Sequence, residues 1–211
     1  MSIRVAALVL AAGAAERMGR VKALLALGDS SLLARSIALV RAGGCSPVIV
    51  VEGAHPLDAE PALRERDVVR ACNPDWPLGP LGSLQAGLRA ALERAPELDG
   101  VLVQHVERPR VEPATVAALI AGLAAEPDAI WQPEFEGRSG HPMLWPRACF
   151  GDLLALDPAR ASARTLARAP EQAWRRRKLA VGDPGVLDNI DTPDDYRRLC
   201  ETLGVVPSSG A

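Results

Sequence analysis

The chain has 211 residues, of which 48% are hydrophobic and 24% are charged, and its formal net charge is −2. This length suits one α/β domain with a sizeable core, and the composition argues against extended disorder. The near-neutral balance excludes a global basic field that would draw the protein to nucleic acid or to an anionic membrane. Four cysteines form neither a C-x-x-C pair nor a zinc-type cluster, which predicts scattered thiols in a reducing compartment.

Strands and helices alternate along the sequence. The almost unbroken apolar run from Ile3 to Leu10 predicts a central parallel strand that is covered on both faces. Further strands are expected at 48–51, 68–71, 101–105, 129–132 and 177–181, and helices at 31–42, 57–66, 81–95, 113–125, 147–156, 162–169 and 193–203. This order predicts an α/β fold, a three-layer α/β/α Rossmann-like sandwich with a mostly parallel sheet.

Two regions interrupt this regular pattern. The stretch 135–145 contains glycines and a proline and predicts a loop or hairpin, and we expect the irregular region 133–146 to cover the active site as a small insertion. We find no internal repeat or linker, which predicts a single domain over 1–205 and a frayed tail over 206–211.

The sequence also predicts where the protein resides. No apolar run reaches the roughly 18–20 residues that span a bilayer, and the N-terminus lacks the layout of a secretory signal peptide. We therefore expect a cytoplasmic protein that binds neither membrane nor nucleic acid.

The loop after the first strand has the properties of a phosphate-binding site. It runs from Ala11 to Lys22 at the carboxyl end of a strand, where ligands bind in such sheets. Gly13 and Gly19 allow close approach of the backbone, and Arg17 and Lys22 supply two cations that suit a triphosphate. The loop is neither a Walker A sequence nor a Rossmann G-x-G-x-x-G, and the alternative is an ordinary βα turn with exposed bases.

The pattern Leu10-Ala-Ala-Gly-x-x-x-Arg-Met-Gly-x-x-Lys22 resembles the signature of nucleotidyltransferases related to molybdenum cofactor cytidylyltransferase and guanylyltransferase. Three later segments are similar to family segments in the same order, at 73–88, at Gly140-His-Pro and at 183–196. The four segments are spread over most of the chain, from position 10 to position 196. The same loop type occurs in sugar-phosphate and methylerythritol-phosphate nucleotidyltransferases.

The resemblance implies a reaction and a set of residues. A phosphate of an acceptor attacks the α-phosphorus of a nucleoside triphosphate and pyrophosphate leaves, which requires in-line positioning and charge neutralisation. Arg17 and Lys22 would be catalytic because they stabilise that charge. The implied nucleotide-binding residues are Leu10, Ala11, Ala12, Gly13, Met18, Gly19, Asn73, Gly79 and Ser83.

Mg²⁺ or Mn²⁺ is the implied cofactor, with Glu107 and Asn189 as its protein ligands. The family usually carries Asp where this chain has Glu107, and three outcomes stay open: Glu107 binds the metal, the metal rests mainly near Asp188, Asn189 and Asp191, or catalysis is weak or lost. The residues from Thr192 to Asp195 have a plainer interpretation as the start of a helix.

The two substrates are less closely defined. The pair Ala11-Ala12, where part of the family has Ala-Gly, favours CTP over GTP and hence transfer of CMP. The acceptor would be a phosphate-bearing small molecule, with molybdopterin or the molybdenum cofactor expected, and His141 would either contact it or serve the structure. The basic run 175–178 is expected to be a solvated edge, with a contact to acceptor phosphates as the alternative.

A molybdoenzyme or a cofactor-delivery protein would be the macromolecular partner. Two alternative functions stay open at this point. One is a sugar-1-phosphate-type nucleotidyltransferase, since those enzymes carry similar loops. The other, suggested by Glu107, is a nucleotide-binding protein whose catalysis is impaired.

Overall fold

The computed structural model describes residues 3–207. The strands are β1 (Val5–Leu10), β2 (Ala26–Leu27), β3 (Ser30–Ser31), β4 (Val48–Glu52), β5 (Val68–Cys72), β6 (Gly100–His105), β7 (Ile130–Phe135), β8 (Arg138–Ser139), β9 (Met143–Pro146) and β10 (Arg176–Ala180). The helices are α1 (Leu32–Ala42), α2 (Pro80–Arg94), α3 (Pro113–Ala125), α4 (Phe150–Ala155), α5 (Ala163–Arg168) and α6 (Pro193–Leu203). Among these residues no helix is both long and apolar enough to cross a membrane.

One large sheet organises the chain, with the strand order β10-β7-β9-β6-β1-β4-β5 and with β8 paired to β7. β1 pairs in parallel with both β4 and β6, and all six of its residues are buried, which explains its continuous apolar sequence. Separate apolar clusters cover the two faces of the sheet, the first including Val9 and Ile37 and the second Leu8 and Leu88. The predicted α/β sandwich with a mostly parallel sheet is confirmed.

The stretch 135–145 is more regular than predicted. It forms a short hairpin between β7 and β8, as expected, but then continues as β9, which lies inside the sheet between β6 and β7 and runs antiparallel to both. Leu144 and Trp145 are buried there. The prediction of an irregular insertion over 133–146 was therefore wrong for β9. The apolar residues of this strand are few and lie between Pro142 and Pro146, and prolines argue against a central strand.

One other prediction needs correction, and one element was missed. The helix expected over 57–66 is only a 3₁₀ turn, Pro61–Arg64, because Pro61 begins it and Glu65 is already extended. The hairpin of β2 and β3 was not predicted. The part of the predicted frayed tail beyond Pro207 lies outside the described residues.

A third apolar cluster joins the end of the chain to its beginning. Tyr196 and Leu199 of α6 pack with Met18, Leu27 and Ile190. The hydroxyl of Tyr196 also donates a hydrogen bond to the carbonyl of Ala26. This contact brings the segment before α6 next to the loop after β1.

Candidate active site

A cavity of about 320 Å³ lies at the carboxyl ends of β1 and β6, lined by the loop after β1 and by the residues before and within the first turn of α2. Every residue that lines it falls between positions 10 and 107. The predicted site residues among them are Leu10, Ala11, Ala12, Gly13, Lys22, Gly79, Ser83 and Glu107. The loop, α2 and the end of β6 therefore meet as the sequence patterns required.

Local backbone conformations shape this cavity. The loop tightens into a 3₁₀ turn, Glu16–Met18, between Ala15 at φ 54° and Gly19 at φ 67°. A non-glycine residue in the left-handed region is strained, and such strain clusters at ligand-binding loops. Gly79, at φ 109°, directs the chain into α2, a conformation that favours glycine.

Two of the predicted nucleotide-binding residues do not line the cavity but hold the segments that do. Asn73 is buried, and its side-chain amide donates to the hydroxyl of Ser83 at 3.0 Å. Met18 is also buried and anchors the loop in the cluster around Tyr196. Neither of these two side chains lines the cavity itself.

The two loop cations share one carboxylate. Nζ of Lys22 lies 3.0 Å from Oδ1 of Asp191, and Nη2 of Arg17 lies 3.1 Å from Oδ2 of the same residue. The Asn189 side-chain amide donates to Oδ2 at 2.6 Å. Burial by itself raises the pKa of Asp191, but the hydrogen bond and charge of Lys22, the Asn189 amide and Arg17 hold that pKa below its ordinary value.

In the C-terminal segment, Asp191 thus contacts the two loop cations, and Asn189, which was predicted as a metal ligand, lies beside it. The Asn189 side chain is exposed and contacts Asp191. Asp188 is engaged elsewhere, in a paired contact with Arg110 at 2.5 and 2.8 Å. The sequence contains one signal for this position of Asp191. The residue follows the apolar Ile190 and comes directly before the start of α6, and the N-terminal cap of that helix fixes the orientation of the backbone at Asp191.

Glu107 lies at the end of β6, as its place in the sequence required. Its Oε1 is 3.6 Å from Nδ1 of His105, and its side chain is partly buried at the cavity wall. Its backbone carbonyl accepts a hydrogen bond from Ile190, which brings Glu107 close to the Asn189–Asp191 segment. Arg108 reinforces the junction by donating to the carbonyls of Val186 and Asp188.

The donor set near the loop suits a hard divalent cation. Glu107 and Asp191 offer carboxylates and Asn189 an amide oxygen, the ligand types that Mg²⁺ and Mn²⁺ prefer. In the described part of the chain, no group of three or more His, Cys, Asp or Glu residues forms a complete metal cage. Such a site fits an ion that takes one or two protein ligands together with substrate phosphates.

A larger cleft of about 730 Å³ adjoins the first cavity, and Leu10, Pro80 and His105 line both. Its apolar wall includes Leu84, Ile130, Met143 and Trp145. Its charged and polar wall includes His141, predicted to contact the acceptor, and Arg164, Arg168 and Arg176.

Two histidines stand where the cleft meets the cavity. The rings of His105 and His141 pack edge to face, with centroids 4.7 Å apart. Desolvation, with the charges of Arg108 and Arg164, lowers the pKa of His141 to about 2, and desolvation likewise lowers the pKa of His105. Nδ1 of His141 is buried without a partner among the described residues. Both shifts favour the uncharged form of the ring. His105 was not singled out from the sequence.

The basic run 175–178 divides between two roles. Arg175 stacks on Trp174, Arg177 pairs with Glu126 at 2.6 Å, and Lys178 pairs with Glu134. Arg176 faces the cleft and, within residues 3–207, joins no ion pair, as is also true of Arg164 and Arg168. Arg176, Arg177 and Lys178 therefore all line the cleft, and of these three only Arg176 joins no ion pair within the described chain.

An α/β sandwich that presents a cation-bearing loop at the carboxyl end of its central strand, facing a carboxylate from the C-terminal segment, is the arrangement of a nucleotidyltransferase. The family described as MobA-like NTP transferase domain matches residues 7–175. The chain belongs to this family, and the resemblance stated from its motifs is confirmed.

Individual relatives extend over nearly the whole chain. The chain is 31% identical to a molybdenum cofactor guanylyltransferase of Rhizobium meliloti, over 91% of this chain and 88% of that protein. It is 28% identical to a nicotine blue oxidoreductase of Paenarthrobacter nicotinovorans, over 92% and 96%. The crystal structure of the Rv0371c complex with manganese from Mycobacterium tuberculosis matches with a TM-score of 0.68 and 28% identity, over 94% and 99%.

Proposed function

We propose that this enzyme transfers a nucleoside monophosphate from a nucleoside triphosphate to a phosphate-bearing acceptor of the molybdopterin type, releasing pyrophosphate. The observation that carries the proposal is the junction of the two cavities at Leu10, Pro80 and His105. The smaller cavity has the loop and Lys22 for a triphosphate, and the larger has room and cations for an acceptor. Two substrates bound there would meet at the junction, as a direct transfer requires.

Each group has a defined task in this reaction. Lys22 and Arg17 neutralise charge on the triphosphate and on the departing pyrophosphate, and the backbone amides of the loop hold its phosphates. The acceptor phosphate is already ionised at neutral pH, so the attack requires no general base, and burial, which lowers the pKa of His141 to about 2, makes that ring a weak base. A bound divalent cation would supply further charge neutralisation, and its one or two protein ligands would come from Glu107, Asp191 and the Asn189 amide oxygen.

The acceptor end of the proposal rests on the larger cleft. Arg164 and Arg168 lie four residues apart on α5, so they share one helix face, and both line the cleft without an ion-pair partner in the described chain. Unpaired guanidinium groups beside an apolar wall suit a flat organic group that carries a phosphate. Molybdopterin has that chemistry, and the Rhizobium meliloti relative is named for the molybdenum cofactor.

We propose CTP as the nucleotide, because Ala12 lines the cavity at the end of β1 and its methyl, where part of the family has glycine, would leave less room for the base and so suit a pyrimidine. The relatives named guanylyltransferases support the competing assignment, GTP. A panel of the four common triphosphates decides between them, with kcat/KM for CTP above that for GTP as the expected result.

The test of the proposed function is release of pyrophosphate from that panel with molybdopterin or a sugar 1-phosphate, in the presence of Mg²⁺ or Mn²⁺. Lys22→Ala is expected to lower turnover by roughly 100-fold. Arg94→Ala, which removes an exposed cation at the far end of α2, is the control and is expected to be neutral. Triphosphate binding without turnover on any acceptor would instead support a binding protein. If no triphosphate raises the melting temperature, the proposal is wrong.

A further inference from the structure

Asp191 places a carboxylate against the two cations that the triphosphate needs. Its two oxygens lie 3.0 Å from Nζ of Lys22 and 3.1 Å from Nη2 of Arg17. Lys22 lines the smaller cavity, whereas Arg17, drawn to Asp191, does not. A single side chain therefore engages both cationic groups of the loop at once.

The carboxylate is held firmly in this place. The backbone amide of Asp191 donates to Asp195, the residue that closes the capping box of α6 with Thr192. The neighbouring Ile190 is buried in the third apolar cluster. Asp191 is only 25% exposed and Lys22 only 16%, so solvent screens their ion pair less than it screens a surface pair.

The Asp191 carboxylate, with its two cationic partners, makes the interactions that a phosphate of the nucleotide would make. Each of these contacts is a charge-assisted hydrogen bond, the same kind of contact that a triphosphate oxygen would make with Lys22 or Arg17. The cations cannot direct the same N–H groups at both anions. A triphosphate that takes over those N–H groups weakens the contacts to Asp191, and the free energy of those contacts then opposes binding.

We infer that Asp191 is a built-in competitor of the triphosphate, which holds Lys22 and Arg17 in position in the free enzyme and releases them to the nucleotide. This inference rests on the proposed function. It gives Asp191 a positioning role that acts through the two cations. The inference also predicts that triphosphate binds weakly without a divalent cation. Once its cations have turned to the nucleotide, the Asp191 carboxylate lies beside another anion and repels it. A divalent cation gives that carboxylate a new partner, so cation and triphosphate should strengthen each other's binding.

The test measures the affinity of inorganic triphosphate and of the four nucleoside triphosphates by calorimetry, first in EDTA and then with Mg²⁺. Asp191→Asn keeps the shape of the side chain and removes its charge. We expect this variant to bind metal-free triphosphate roughly tenfold more tightly than the parent enzyme, with a smaller gain on addition of Mg²⁺. Asp191→Glu, which keeps the charge, should stay weak without metal.

Asp194→Asn is the matched control. Asp194 is exposed on α6 and pairs with Arg197, so its neutralisation removes one negative charge from the same segment without contact to the loop. Its metal-free affinity should equal that of the parent enzyme. Asp191→Ser is the second neutral variant if Asp191→Asn does not fold.

Failure of the inference is distinct from failure of the proposed function. If the parent enzyme turns over nucleotide but neutral variants at Asp191 gain no metal-free affinity, the competitor inference alone is overturned. An equal gain in the Asp194→Asn control would also overturn it, because the effect would then be one of general charge. If the neutral variants gain affinity but no acceptor is turned over, the inference stands and the proposed transfer fails.

Discussion

The backbone amide of Ile190 donates to the backbone carbonyl of Glu107 at 3.2 Å, joining the end of β6 to the segment before α6. The carboxylates of Glu107 and Asp191 are therefore carried by two neighbouring pieces of backbone. Because this bond involves only backbone atoms, substitution of either acid should leave the junction intact. Changes at Glu107 can consequently be interpreted as changes in its side chain.

Glu107→Gln should lower metal-dependent turnover by roughly 100-fold, because it removes the negative charge of the side chain that is proposed to bind the metal at the cavity wall. The measurement is kcat at several Mg²⁺ and Mn²⁺ concentrations. Glu97→Gln, at an exposed carboxylate paired with Arg4, is the control and should be neutral. Equal activity of Glu107→Gln and the parent enzyme would remove Glu107 from the metal site. Faster turnover by Glu107→Asp would indicate that the extra methylene of Glu slows catalysis.

Gly53→Ala should distort the smaller cavity, although Gly53 itself does not line it. A Cβ at Gly53 would lie 2.7 Å from the carbonyl oxygen of Ala12 and 2.8 Å from Cβ of Trp76. One of these cavity-lining segments must move, at a cost of roughly 1–3 kcal/mol in the free energy of unfolding. Urea denaturation and the KM for triphosphate should both report the change. Gly151→Ala in α4, where a Cβ meets no atom within 4 Å, should be neutral or slightly stabilising.

The double change Arg164→Ala and Arg168→Ala should affect binding of the acceptor and leave binding of the triphosphate unchanged. Both cations line only the larger cleft, so the KM for the acceptor should rise by roughly tenfold or more while the KM for triphosphate stays constant. Arg160→Ala, at an exposed arginine just before α5, serves as the comparison. A rise in the KM for triphosphate instead would place the nucleotide, and not the acceptor, in the cleft.

His141 should make the enzyme less stable in mild acid. Burial lowers its pKa in the folded protein to about 2, whereas the pKa of an unfolded histidine is 6.5. As the pH falls below that value the unfolded chain takes up a proton that the folded chain does not, so the free energy of unfolding decreases. His141→Gln removes this contribution. Urea denaturation between about pH 7 and pH 5 should show a shallower dependence in the variant, and an unchanged slope would contradict the assignment.

The sequence was most informative where one local property sufficed. The apolar run at 5–10, the cations in the following loop and the helix signals at 193–203 are local features, and the structure has each where it was expected. Partners far apart in sequence were harder to assign. The contact between Lys22 and Asp191 spans 169 positions and depends on the packing of Tyr196 beside the loop, which no spacing rule reports.

The same limitation explains β9 and His105. Pairing of β9 on both sides is set by the whole sheet, so its short apolar run between two prolines gave no periodic signal. His105 looked like an ordinary strand end, and its importance comes from the packing of His141 against it. In both cases tertiary contacts decide the outcome.

The two cavities draw on different halves of the polypeptide. All residues that line the smaller one lie between 10 and 107, whereas, apart from His105, every charged or polar residue of the larger one lies between 132 and 178. If the smaller cavity binds the nucleotide and the larger one the acceptor, as proposed, mutations should change the preference for each substrate almost independently. A chimera that takes only the segment 130–180 from a relative, and so keeps the parental Asn189 and Asp191, should exchange acceptor choice while keeping the parental choice of nucleotide.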